Sequence, residues 1–130
     1  SPETLTVLSV RAELQPGDTV VSLNYSTTAA AYFYLPDIPV WVYLGKQAGQ
    51  AQFTPDRLVY PITLLIPPEP ADITIADLRA ASRLWVLGRS GVSEELRAAL
   101  TEQCTLRQEF SNPPFAASLW TNCIPQENSK

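Results

Sequence analysis

A chain of 130 residues, 45% hydrophobic and 17% charged, has the size of one domain and can bury roughly two thirds of its unfolded surface in a core; that composition argues against disorder. The net charge of −4, with the nine Lys and Arg unclustered, excludes nucleic acid as a partner and electrostatic docking on anionic lipid. Histidine is absent, which removes His-based acid–base catalysis and most zinc sites.

The first element is a helix over 3–14. Leu5, Leu8 and Leu14 recur at near-helical spacing, Val7 and Val10 add to the apolar face, and Pro2 and Glu3 suit its first turn. Pro16-Gly17-Asp18 stops it, and Thr19-Val20-Val21-Ser22-Leu23 follows as a buried strand. Ser26-Thr27-Thr28 offers caps for a short helix from Ala29 to Leu35, ended by Pro36. Val40 to Leu44 is a second strand, closed by Gly45.

From Gln47 to Asp72 the periodicity fails among Pro55, Pro61, Pro67, Pro68 and Pro70. The segment reads as a long ordered loop with an edge strand near Leu58–Leu65. Thr74-x-x-Asp77 resembles a capping box and opens a short helix to Ala81. Arg83 to Leu87 is the third strand. Gly88-Arg89-Ser90-Gly91 turns into Ser93, the N-cap of a helix from Glu94 to Gln103 with its acids at the positive end of the dipole. Thr105 to Phe110 and Phe115 to Thr121 flank Asn112-Pro113-Pro114 as an antiparallel hairpin. The sum is a single α/β domain over 1–130, a Rossmann-like three-layer arrangement with a short, mostly parallel sheet and a C-terminal antiparallel hairpin.

Cys104 and Cys123 are the two cysteines. With the hairpin centred between Pro113 and Pro114 they stand opposite each other at its open end, within reach of a disulfide. A disulfide places the chain in an oxidising, exported compartment; the alternative is a pair of facing buried thiols. No run reaches the ~20 apolar residues of a membrane span. The chain opens Ser-Pro-Glu and contains no Met, as expected of a processed chain or a piece of a longer one.

Ligands of parallel sheets bind beyond the carboxyl ends of the strands. Three predicted loops lie there. They offer Asn24, Tyr25 and Ser26, then Lys46, then Arg89 and Ser90, groups able to hold a sugar or an anionic head group. Capping and turn residues also collect at such positions for purely local reasons. Gly88-x-x-Gly91 lacks the dinucleotide and Walker spacings, and Glu94 and Glu95 would repel a phosphate at that helix start. Asn24-Tyr25-Ser26 matches the N-glycosylation pattern. Tyr32-Phe33-Tyr34, Trp41, Tyr43, Trp85 and Trp120 suit a sugar-stacking platform, although core packing is the simpler account. Serine chemistry lacks a base, and the acids have no sequence reason to converge. No catalytic residue, metal ligand or cofactor is expected.

The run Leu14-Gln15-Pro16-Gly17-Asp18-Thr19-Val20-Val21 through Ala29-Ala30-Ala31-Tyr32-Phe33-Tyr34-Leu35-Pro36 resembles the extracytoplasmic C-terminal domain of polytopic GT-C type glycosyltransferases, relatives of protein mannosyltransferases. Ala76-Asp77-Leu78-Arg79, Arg83 to Gly88, Glu95 to Leu100 and the closing hairpin through Leu119-Trp120 are similar to the same domain. The resemblance spans most of residues 10–121. It implies a polyprenyl-phosphate sugar donor for the parent enzyme, with the catalytic carboxylates in membrane loops outside this chain. The domain would then be an accessory piece beside the membrane-embedded part, facing the periplasm or cell exterior, with a glycan or acceptor as a further partner. The alternatives are a free-standing exported module binding a carbohydrate or small ligand, and a degenerate Rossmann-like enzyme fragment.

Overall fold

The computed structural model describes residues 1–35, 37–38, 40–43, 63–65, 82–91 and 94–123. The helix expected over Thr74–Ala81, the loop carrying Lys46 and the cap at Ser93 lie outside the described residues.

The described elements are α1 (Pro2–Glu13), β1 (Thr19–Ser22), α2 (Tyr25–Tyr34), β2 (Val40–Tyr43), β3 (Thr63–Leu65), β4 (Arg83–Arg89), α3 (Glu94–Gln103), β5 (Thr105–Asn112) and β6 (Phe115–Thr121). The six strands form one sheet in the order β3-β2-β1-β4-β6-β5. β1 pairs in parallel with β2 and β4, and β2 with β3. β6 is antiparallel to β4 and to β5. This is the mixed α/β sheet anticipated from the sequence.

The central strands β1 and β4 bury both faces because their apolar residues run continuously. Along β4, Leu84 and Val86 join Val21, Leu96, Ala99, Leu100 and Trp120 in the core beneath α3. Trp85 and Leu87 face the other way and pack with Val7, Val10, Val20, Ala31, Leu35 and Leu119 beneath α1 and α2. The period-two alternation of a strand thus feeds two cores, and helices cover both sides of the sheet. Each buried indole N–H has a partner: Trp85 donates to Asp18 Oδ2 at 2.9 Å and Trp120 to Ser118 Oγ at 2.8 Å.

The structure departs from the sequence pattern in four places. α1 buries Val7, Val10 and Thr6, whereas Leu5 is 55% exposed, so the valines rather than the leucines define its inner stripe. α2 begins at Tyr25 with Asn24 in the N-cap position, four residues before the expected Ala29. Thr28 can enter the helix because its hydroxyl lies 2.8 Å from both the Asn24 carbonyl and Ser22 Oγ. β4 runs through Gly88 and Arg89 instead of turning at Gly88, because β6 continues to pair with it as far as Arg89↔Phe115.

The hairpin register is the fourth departure. The pairing centred on Pro113 and Pro114 holds from Asn112↔Phe115 to Gln108↔Leu119, then shifts between Leu106 and Gln108, so that Thr105 faces Thr121. The bulge adds a residue to β5 and increases local twist. The disulfide Cys104–Cys123 still forms, with Cα atoms 4.0 Å apart.

Candidate functional site

In an open parallel sheet the crevice for ligands opens where the chain leaves two adjacent strands in opposite directions. Here those strands are β1, which leads to α2 on one face, and β4, which leads to α3 on the other. Leu23 extends their pairing by one bond, its N–H donating to the Leu87 carbonyl at 3.0 Å. The two strand ends press together at this point. A Cβ on Gly88 would sit 2.7 Å from Leu23 Cβ and 2.9 Å from Asn24 Oδ1, so glycine is required there by close approach.

The turn from β1 into α2 is filled from within the chain. Glu3, in the first turn of α1, brings Oε2 to 2.7 Å from both Ser26 Oγ and Thr27 Oγ1. Ser26 Oγ donates to that carboxylate and accepts from Asn24 Nδ2 at 2.9 Å. Thr27 has one proton and two acceptors within reach, Glu3 Oε2 and Asn24 Oδ1 at 2.9 Å. Beneath them Ser22 Oγ donates to the Asn24 carbonyl at 3.0 Å. A helix N-terminus attracts an anion through its partial positive charge. At α2 that anion is Glu3.

The candidate residues therefore divide between the two faces of the sheet. Asn24 and Ser26 belong to the Glu3 network beside α1 and α2. Tyr25 is the first residue of α2. Arg89 and Ser90 lie at the end of β4 and help line a cleft on the α3 side, of about 70 Å³. Lys46 lies outside the described residues.

The α3-side cleft also gathers residues that local sequence patterns do not single out. Arg97 on α3 pairs with Glu109 on β5 at 3.2 Å and lies over the Trp120 ring at 5.7 Å. Arg89 lies over Phe115 at 5.6 Å. The Ser90 N–H donates to the Pro114 carbonyl at 2.8 Å, tying the end of β4 to the hairpin tip. With Glu94 on the rim, acids and bases balance. The Arg97–Glu109 pair is about half exposed on both sides and contributes little to stability.

The aromatic residues split likewise. Trp85 and Trp120 are fully buried, and Trp85 stacks on Phe110 with ring centroids 6.0 Å apart; both tryptophans serve the core. Phe33 is 70% exposed and meets Tyr34 edge-to-face at 4.8 Å.

A second polar network lies at the opposite end of β4. Asp18, with its side chain fully buried, accepts from Arg83 Nε at 2.7 Å, from the Trp85 indole and from the Gln15 N–H at 3.0 Å. Arg83 also donates to the Glu13 carbonyl at 3.1 Å. This network locks α1 to the sheet. Its one acid is fully engaged, and its position at the amino ends of the parallel strands is away from the ligand end of such a fold.

Among the described residues no group of His, Cys, Asp and Glu is placed to hold a metal ion, and no helix is long and apolar enough to cross a membrane. Compared with known proteins, the chain matches no family model and no curated sequence.

Proposed function

We propose that this chain is a non-catalytic accessory domain of a polytopic GT-C type membrane glycosyltransferase, held outside the cytoplasm beside the membrane-embedded part that carries the chemistry. The observation that carries the reading is the turn between β1 and α2. An α/β domain that bound a nucleotide or phosphate would keep the hydroxyls of this turn free; here Glu3 takes those of Ser26 and Thr27. Among the described residues, the cleft on the α3 side at the carboxyl end of β4, about 70 Å³, is well below the roughly 300–1,000 Å³ of small-molecule sites. The disulfide supports an oxidising compartment. Resemblance to the glycosyltransferase domain supplies the identity of the parent, and a polyprenyl-phosphate sugar is its proposed donor.

The test uses the whole gene product. Membranes containing it are assayed for transfer of labelled sugar from a polyprenyl-phosphate donor, in parallel with the isolated domain. Transfer by the membranes and none by the domain alone is the expected pattern. A gene encoding a signal peptide followed directly by this domain, without membrane spans, would overturn the reading.

A further inference from the structure

We draw no further inference here: the strongest candidate, the shallow cleft between β4, β6 and α3 lined by Arg89, Glu94, Arg97, Glu109 and Trp120, carries nothing, because its charges balance, both guanidinium groups already rest on aromatic rings, and nothing among the described residues shows what would fill it.

Discussion

Replacing Asp18 by Ala removes the acceptor from three donors at once: Arg83 Nε, the Trp85 indole and the Gln15 N–H. Breaking a buried ion pair costs about 3–5 kcal/mol. Arg83 is 22% exposed and can turn toward water, which places its share at the low end of that range. Trp85 is completely buried, and an indole N–H left without a partner costs about 1–3 kcal/mol. Together the loss is about 4 kcal/mol. At an unfolding entropy of roughly 2 cal/mol/K per residue, Tm falls by about 15 °C. Urea unfolding followed by far-UV circular dichroism reads the free energy, and a thermal melt reads the shift. Asp18→Asn retains one carbonyl acceptor and is expected to lose about half as much. A double-mutant cycle with Trp85→Phe isolates the indole bond, with a coupling energy of about 1 kcal/mol or more. If Asp18→Ala lost less than about 1 kcal/mol, the network would not be what holds α1 against the sheet.

Three further outcomes are expected. The double variant Cys104→Ser/Cys123→Ser loses about 3 kcal/mol, the chain-entropy value for a loop of this length; identical urea midpoints with and without the bridge would contradict it. Gly88→Ala forces a methyl group against Leu23 and Asn24 and costs about 1–3 kcal/mol by overpacking; an unchanged melting temperature would show that the β1 end yields freely. Burial raises the Tyr32 phenol above the ordinary tyrosine value, so the fold favours the neutral ring. That contribution is whole below the unfolded-chain pKa and is lost as pH rises through the folded one. Tyr32→Phe should therefore lose less stability than the parent chain in alkaline solution, and parallel declines for the two proteins would refute the assignment.

Elements defined by side-chain runs were legible in the sequence. Val20-Val21, the strand at Val40 and Leu84 to Leu87 announce strands through β-branched and apolar continuity. The acids at the start of α3 mark its beginning, and the paired prolines mark the hairpin turn. Features set by partners distant in sequence were not legible. Gly88 reads as a turn glycine, yet it is a strand residue because β6 keeps pairing beside it and the end of β1 leaves no room for a Cβ. The register shift between Leu106 and Gln108 is not marked by the placement of the prolines. Glu3 reads as a dipole partner of its own helix. Its second role, at the start of α2, spans 23 positions to Ser26, and no local pattern encodes that contact.

Glu3 also bears on what the turn between β1 and α2 can do. The first strand-to-helix turn of a parallel sheet binds anions because helix N–H groups, hydroxyls and the dipole converge there without internal partners. Any chain that keeps the topology must still satisfy those groups, with a ligand, with water or with itself. In this chain a carboxylate from α1 takes the Ser26 and Thr27 hydroxyls, and Leu23 packs against Gly88 beside them. The groups that would have recognised a ligand instead join α1, α2 and β1 into one unit, and Asp18 does the same at the other end of the sheet. At β1 and β4 the polar contacts at each strand end are internal, and they fix α1 and α2 against the sheet.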